Sequence, residues 1–363
     1  AEPIAAPVRA DGGLRLARDV ATFAFNVRTL RGAPLGKGEG RHDVKSGKGS
    51  ARFNAGDLLF RRGALQPDDI ALPLKGVVSD TSGAATGAID FAWEPGAAAS
   101  SADFLFAGVS FNGPTLAVTR TEGVSGELAL ESLAPLKSRG VQTLSIDRVD
   151  LDALKLEKGA VEFELPGDET VRIVKAEFPW FGGRIGAYGT SAPLTGGSAT
   201  TRLEIAEVDL SALLAFLEVE GLSGEGVVEG VLPISFSGGK ARIEKGVLSA
   251  TGPGVVRYES KSTDAAASQS AGAELAFEIL RELRFTTLTA EVDGPLDGEL
   301  DFKILFEGFS DLPVNAGGAR RKVESPVIYR INIEAPLLAL IDQARITTDY
   351  ELLRDRALKS IEE

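Results

Sequence analysis

Hydrophobic and polar residues alternate along many segments of this chain, so that every second side chain is apolar. Phe23, Phe25 and Val27, for example, are separated by Ala24 and Asn26. Because successive side chains of a β-strand point to opposite faces, such segments predict strands with one apolar face and one mostly polar face. The same alternation recurs in segments 161–165, 202–205, 300–307 and 327–334.

Turn-forming residues separate these segments at short intervals. Examples are Asn112-Gly113-Pro114 and Asp293-Gly294-Pro295. Gly and Asn accept positive φ and Pro fixes φ, so such clusters reverse the chain. Short strands at this spacing are typical of a meander, sandwich, barrel or solenoid, and the absence of a fixed-length repeat argues against a propeller. The predicted fold class is all-β, mainly strand with a few short helices.

Some segments depart from the two-residue period. An apolar stripe with a period near 3.6 predicts a helix within 264–283, and segment 336–363 is expected to form one or two helices. Segment 211–217 is predicted to be a short helix, with Asp209 or Ser211 as its cap. Segment 35–50, rich in Gly and Lys, and segment 97–102, all Ala and Ser, are expected to be loops.

Composition restricts the classes of function that this chain can have. The 39 Lys and Arg against 52 Asp and Glu give a net charge of −13, which argues against nucleic acid as a partner. Glycine is abundant, with 42 residues in 363, as expected for a chain that turns often. No stretch approaches the roughly 20 apolar residues of a membrane-spanning helix. The absence of Met suggests a part of a longer protein.

A search for catalytic and ligand-binding patterns finds no convincing site. The only histidine, His42, is expected to be a surface residue without a role. Ser237-Gly238-Gly239-Lys240 is interpreted as a hairpin turn, because a Ser–Lys catalytic pair needs a helical turn. Asp147, Asp150 and Asp152 lack the spacing of a calcium loop and are expected on a solvated strand face. Trp93 and Trp180 are expected in the core. No cofactor and no metal site are predicted, and the chain is predicted not to be an enzyme.

Segment 174–258 carries a recognisable order of motifs. It begins with Val-Lys-Ala-Glu-Phe-Pro-Trp-Phe-Gly-Gly-Arg-Ile and ends with Gly-Pro-Gly-Val-Val-Arg-Tyr. This order resembles the C-terminal region of YdbH-like proteins, which belong to the AsmA-like group of intermembrane lipid transport proteins of Gram-negative bacteria. The residues interpreted as the family's motif turns are Gly226, Gly230, Pro233, Gly246, Pro253, Gly254 and Tyr258.

The resemblance implies a long, twisted antiparallel sheet folded into an open hydrophobic groove that shields phospholipid acyl chains in the periplasm. It implies one elongated β-groove over residues 1–363, which would be the C-terminal portion of a longer protein. An N-terminal anchor outside this sequence would hold that protein in the inner membrane. A small outer-membrane lipoprotein is the implied partner, adding strands at the C-terminal edge.

Three hypotheses follow. The first is a lipid-conducting groove, which needs no catalytic residue. The second is a non-enzymatic structural or interaction module, whose apolar face is a filled core and which binds a partner by β-strand addition. The third, a polysaccharide hydrolase with paired carboxylates, is not excluded by sequence. In the first, the groove lining would be Phe23, Phe25, Val161, Phe163, Leu203, Ile205, Leu300, Phe302, Ile304, Phe306, Tyr329, Ile331 and Ile333.

Overall fold

The structure, a computed structural model, is built almost entirely from antiparallel strands. Of the residues it describes, 76% lie in strands and 6% in helices, and twenty strands belong to one sheet. The prediction of an all-β antiparallel fold with few helices is therefore confirmed. The described residues are 5–113, 118–151, 154–194, 197–216, 221–238, 240–259, 271–316 and 319–336.

The chain divides into two compact units. Unit 1 comprises Ala1–Phe178, Ala187–Thr200 and Ser237–Gly239, and unit 2 comprises Pro179–Gly186, Thr201–Phe236 and Lys240–Glu363. The strands of unit 1 are β1 (Val8–Ala17), β2 (Val20–Thr29), β3 (Pro34–Asp43), β4 (Gly49–Phe60), β5 (Ser79–Glu94), β6 (Ala97–Asn112), β7 (Arg120–Leu133), β8 (Leu136–Ser138), β9 (Gln142–Leu151) and β10 (Leu154–Glu164).

Unit 1 is a meander of hairpins. Each strand from β1 to β6 pairs antiparallel with the next, β6 pairs with β7, and β7 pairs with both β8 and β9. Tight turns connect the strands. Gly47 between β3 and β4 and Gly96 between β5 and β6 have φ of 70° and 83°, a backbone conformation in which a residue without Cβ is favoured.

Residues 61–78 connect β4 to β5 and fold as a separate segment with two 3₁₀ turns, Pro67–Asp69 and Leu72–Leu74. The Gln66 side chain ties this segment to the sheet. Its amide nitrogen lies 2.9 to 3.0 Å from the carbonyl oxygens of Arg61, Leu65 and Thr81, and its oxygen accepts the Thr81 N–H at 2.9 Å. We call residues 61–78 the cap segment.

Four strands contribute residues to both units, namely β11 (Thr170–Trp180), β12 (Gly183–Pro193), β13 (Ala199–Asp209) and β15 (Val227–Ser237). Unit 2 further contains helices α1 (Leu210–Phe216) and α2 (Ala271–Arg281) and strands β14 (Leu222–Glu225), β16 (Lys240–Ala250), β17 (Gly254–Tyr258), β18 (Leu283–Pro295), β19 (Glu299–Ala316) and β20 (Ala319–Pro336). The registers are antiparallel between β14 and β17, β16 and β18, β17 and β18, β18 and β19, and β19 and β20.

The helix predictions have different outcomes. The short helix predicted at 211–217 is confirmed as α1, and Asp209 is its cap, since its carboxylate accepts the Ala212 N–H at 3.0 Å. Within 264–283, α2 is confirmed, whereas 264–270 lie outside the described residues. Pro336 is the last residue of β20, and the remainder of the predicted helical tail, 337–363, lies outside them too.

Two predicted loops are wrong. Segment 35–50 contains most of β3 and the start of β4, and segment 97–102 begins β6. The alternation of β3 is hidden because its inward positions are Gly36, Gly38 and Gly40, which pair with Val27, Phe25 and Phe23 of β2. The apolar surface over β3 thus comes from the side chains of its neighbour.

Candidate functional site

The strand registers of unit 1 place apolar residues on one common face. Residues directly opposite each other on paired strands lie on the same face of a sheet, as do residues two apart along one strand. Six consecutively paired strands therefore share one row of side chains, which runs through Phe25, Gly38, Phe53, Ile89, Ala102 and Leu130. A parallel row runs through Leu14, Phe23, Gly40, Ala51, Phe91 and Ser100.

The same face continues towards β10. Phe106, four residues from Ala102, lies opposite Gly126 of β7. Gly126 lies opposite Leu144, and Leu144 opposite Val161. The register thus brings four predicted lining residues together on one face of unit 1, namely Phe23, Phe25, Val161 and Phe163. We call this surface the apolar face of unit 1.

This face is only half covered by protein. Phe23, Phe25 and Phe53 are half-buried, and Phe91 is 40% exposed. Towards β7 and β10 the face is covered, since Ala102 and Leu130 are 1% and 3% exposed and Phe163 packs against them. A soluble sheet without a ligand normally covers such a surface with a second layer of side chains. Contiguous half-exposed aromatic surface of this kind marks a binding site.

The opposite face of the same strands is polar and exposed. Thr22, Arg41 and Ser50 lie on it in one row, and Glu39, Arg52 and Asp90 in the next. The Arg52 guanidinium donates to both carboxylate oxygens of Asp90, at 3.1 and 2.9 Å. The two faces therefore differ in chemistry over the same backbone.

Aromatic rings lie flat over glycines on the apolar face. The rings of Phe23 and Phe25 stack with centroids 6.1 Å apart and planes inclined by 19°. A Cβ at Gly40 would lie 2.5 Å from the Phe23 ring, and one at Gly38 would overlap the ring of Phe25. Glycine at both positions is thus what allows the rings to lie against the sheet.

A concavity of about 1150 Å³ extends over residues of β1 to β7. Its lining includes Leu14, Phe23 and Phe91 of the apolar face together with residues of the polar face, such as Arg41 and Arg52.

One end of the apolar face is closed. The cap segment packs there, where Leu65 joins a buried cluster with Val27, Leu35, Leu58 and Phe60. Phe25 and Phe53 pack against the edge of this cluster. We call this the covered end.

The other end of the face carries His42 and Trp93. Trp93 Nε1–H donates to His42 Nδ1 at 3.0 Å, and both residues are half-buried. His42 was expected to be a surface residue without a role, and the structure instead pairs it with an aromatic residue on the apolar face. We call this the polar end.

Predicted lining residues of unit 2 also share a face. Leu248, Ala290, Ile304 and Ile331 lie opposite one another on β16, β18, β19 and β20. Neighbouring rows contain Phe302 opposite Ile333 and Phe306 opposite Tyr329. The side chain of Ile333 lies outside the part of the chain whose side chains are described.

Much of this second face is filled by protein. Leu300 and Phe306 are 1% and 5% exposed, and Ile205 is buried as well. Leu203 and Phe302 pack against the buried cluster formed by Ile234, Ala241, Ile243, Val292 and Leu300. Burial raises the pKa of the half-buried Tyr329 hydroxyl.

Helix α2 contacts β17 and β19. Ser310, on the same face as Phe306, is buried there and donates its hydroxyl to the Ile279 carbonyl oxygen at 3.2 Å. The face of unit 2 is therefore covered by a helix at this end.

The seven motif residues fall in unit 2, and several lie inside strands. Gly230 and Pro233 lie in β15, Gly246 in β16, and Gly254 and Tyr258 in β17, whereas Gly226 and Pro253 precede strands. The glycines give space to neighbouring side chains. A Cβ at Gly226 would lie 3.1 Å from the Phe285 ring, and one at Gly246 would lie 2.5 Å from a methyl of Leu232.

The remaining candidate groups form ion pairs or ring contacts. Lys240 Nζ lies 3.3 Å from Asp297, and Arg148 lies 3.0 Å from Asp150, whereas Asp152 is outside the described residues. Trp180 packs against Phe181 in a tilted arrangement, with centroids 4.8 Å apart and planes inclined by 44°, and its buried Nε1–H has no hydrogen-bond partner among the residues that the structure describes. Within the described ranges, no group of three His, Cys, Asp or Glu residues is arranged to hold a metal ion. Among the same residues no helix has both the length and the hydrophobicity to span a membrane.

Comparison with known proteins gives one match. A family model described as "YdbH-like: Intermembrane phospholipid transport protein YdbH" matches residues 5–356. Neither the curated proteins nor the solved structures contain a match to this chain.

Proposed function

The chain belongs to the YdbH-like family of intermembrane phospholipid transport proteins, and from this premise we propose that it shields phospholipid acyl chains on its apolar face in the periplasm, between the two membranes. The observation that carries this proposal is the half-exposed part of the apolar face of unit 1, around Phe23, Phe25 and Phe91. It has the composition of a protein core but lacks a full second layer of side chains. Acyl chains supply that layer.

The free energy available from such binding is large. Each methylene removed from water contributes about 0.8 kcal/mol. Two acyl chains therefore provide roughly 20 kcal/mol before the entropy of ordering them is subtracted. When a lipid moves along a row of similar apolar residues, the free energy gained from burying its acyl chains stays nearly constant. Transport along the face therefore needs no covalent chemistry, and we propose no enzymatic step.

The proposal is tested by extracting and quantifying lipid from the purified protein by mass spectrometry. The variant Phe23→Asp, Phe91→Asp places two carboxylates on the apolar face at half-exposed positions. The matched control, Asn26→Asp, Ala88→Asp, changes residues of the same two strands whose side chains lie on the polar face and outside the lining of the concavity.

We expect about one phospholipid or more per chain in the unmodified protein and the control, and at least a tenfold loss in the apolar-face variant. The circular dichroism of all three proteins should match. Equal lipid content in the two variants, or no lipid in any of them, would contradict the proposal.

A second observation concerns the binding of a partner protein. The 18-residue strand β20 has β19 as its only partner among the described registers, and its Ile328 and Val323 are 65% and 47% exposed. An exposed apolar edge strand is a template for strand addition. We infer that a small outer-membrane lipoprotein adds a strand here and that the protein is anchored in the inner membrane.

Site-specific photo-crosslinking tests this edge. A photoreactive residue at 323 or 328 should give a covalent product with a small lipoprotein in cells, identified by its mass. The control positions are Leu14 and Leu16, which are exposed on the first strand of the chain. Crosslinking of the same lipoprotein from both edges, or from neither, would refute a specific role for β20.

A further inference from the structure

The polar end of the apolar face is built differently from the rest of that face. The row at this end runs through Ala21, His42, Gly49, Trp93 and Ala98. It contains the only histidine and one of the two tryptophans of the chain. The Trp93 ring covers Gly49, where an added Cβ would overlap the indole.

The hydrogen bond between the two side chains determines the tautomer of the neutral imidazole. An indole N–H is a donor only, so His42 Nδ1 must be the acceptor. In a neutral imidazole the hydrogen then resides on Nε2. Within the part of the chain that the structure describes, Nε2 forms no hydrogen bond. The pair therefore presents a free N–H donor beside an aromatic surface.

The hairpin turns at this end carry ion pairs. Lys45 Nζ lies 2.6 Å from Asp19, and Lys48 Nζ lies 2.8 Å from Glu94. These ion pairs link the β1–β2 turn to the β3–β4 turn, and the latter to the end of β5. Along the strands, the face thus changes from buried aliphatic residues, through half-exposed phenylalanines, to a histidine and a tryptophan bordered by charges.

This gradient matches the polarity of a phospholipid along its length. Tryptophan side chains concentrate where apolar and aqueous phases meet, because the ring is apolar and its N–H is polar. Resting on the proposed function, we propose that His42 and Trp93 form a subsite for the ester and phosphate region of a bound phospholipid. His42 Nε2–H donates to a lipid oxygen, and the Trp93 indole covers the first methylenes of the acyl chain.

The position of the lipid is tested by fluorescence quenching. Trp180→Phe leaves Trp93 as the only indole, and bromine quenches indole emission at short range. The protein is loaded with a phospholipid brominated either next to the ester or near the terminal methyl of its acyl chains. We expect the ester-side bromines to quench Trp93 at least twofold more strongly than the terminal ones.

A control indole is placed deeper on the same face. Phe53 lies two rows from Trp93, about 13 Å along the strands at 3.3 Å per residue. In Phe53→Trp, Trp93→Phe, Trp180→Phe the order should reverse, with the terminal bromines quenching more strongly. If lipid is bound but Trp93 is quenched equally or more strongly by the terminal bromines, this inference is overturned while the proposed function stands. If no lipid is bound at all, both fail.

The donor role of His42 is tested by two substitutions. His42→Gln keeps an acceptor for the Trp93 N–H and a donor for the lipid, whereas His42→Leu keeps neither. We expect His42→Leu to release a fluorescent phospholipid about fivefold faster, the effect of one hydrogen bond, and His42→Gln to stay within about twofold of the unmodified protein. Equal rates for the two variants would exclude His42 as a donor. Inorganic phosphate should not displace the lipid, and displacement would indicate a site for the free anion instead.

Discussion

The two units of the protein use the same alternating pattern in different ways. In unit 1, Phe23 and Phe25 lie over glycines and remain half-exposed. In unit 2, Leu300 and Phe306 are almost completely buried, and α2 covers one end of the face. Alternation therefore identifies which residues share a face but not whether protein or ligand covers it.

Truncation of a buried residue in unit 2 should lower the free energy of unfolding more than any of the other substitutions. Phe306→Ala leaves a cavity beside Phe285 and should lower the free energy of unfolding of unit 2 by about 3 to 5 kcal/mol. Phe23→Ala, at a half-exposed position, should cost unit 1 only about 1 to 2 kcal/mol, because less apolar area is lost.

The two tryptophans allow each unit to be measured separately, since Trp93 lies in unit 1 and Trp180 in unit 2. Urea unfolding is followed by Trp93 emission in Trp180→Phe and by Trp180 emission in Trp93→Phe. If Phe306→Ala and Phe23→Ala lowered the free energy of unfolding of their units equally, the two faces would be packed alike.

Phospholipid should stabilise the units unequally. A ligand present at a hundredfold excess over its dissociation constant stabilises the state that binds it by about 2.7 kcal/mol. We expect delipidation to lower the urea midpoint reported by Trp93 and to leave that reported by Trp180 nearly unchanged. A shift in the Trp180 transition alone would place the lipid on unit 2 instead.

Substitution of a glycine under a ring should have a smaller effect, confined to unit 1. The Cβ of Gly38→Ala overlaps the Phe25 ring, so the ring must move at a cost of about 1 to 3 kcal/mol. Phe25→Leu removes the overlapping atoms, and the double variant should recover most of the loss. Additive losses in this double-mutant cycle would mean that the ring and the glycine do not interact.

The smallest effect is expected at an exposed turn of the polar end. Asp43 accepts the Ser46 N–H at 2.8 Å and its hydroxyl at 2.9 Å, and these bonds lower the pKa of the carboxyl below its ordinary value of 3.8. The stabilisation they provide is present above the ordinary pKa and is lost as the pH falls through the lowered one.

Ser46→Ala removes only the hydroxyl donor, so the pKa of Asp43 should rise part of the way back. Carbon-13 NMR of the carboxylates measures this directly. Asp168 is the internal control, because the Thr170 hydroxyl lowers its pKa in the same way. Its titration should be the same in both proteins.

Sequence patterns predicted the strands whose own side chains alternate. The segments 300–307 and 327–334 are the clearest examples, since they form β19 and β20 and place Phe306 opposite Tyr329. Strand β3 could not be predicted in this way, because glycines occupy its apolar face and the covering rings belong to β2. The fold class followed from local alternation, whereas burial depends on contacts between residues far apart in sequence.

The candidate site was less predictable than the fold. Phe302, for example, was predicted to line the groove. The structure packs Phe302 against a buried cluster, so a carboxylate there would destabilise unit 2, and the test belongs at Phe23 and Phe91 instead. The pairing of His42 with Trp93 depends on two strand registers, β3 with β4 and β4 with β5, and left no signal in the sequence.

The cap segment has a consequence for how the protein opens. The backbone N–H groups of Ile70, Ala71, Lys75 and Val78 bond to carbonyls within the segment, and the Gln66 side chain bonds it to β5. In native-state hydrogen exchange we therefore expect these amides to exchange together, at a lower free energy of opening than the strand ladders. Such an opening would expose Val27, Leu35 and Phe60, which pack with Leu65 of the segment, and would lengthen the accessible apolar face while the sheet stays folded.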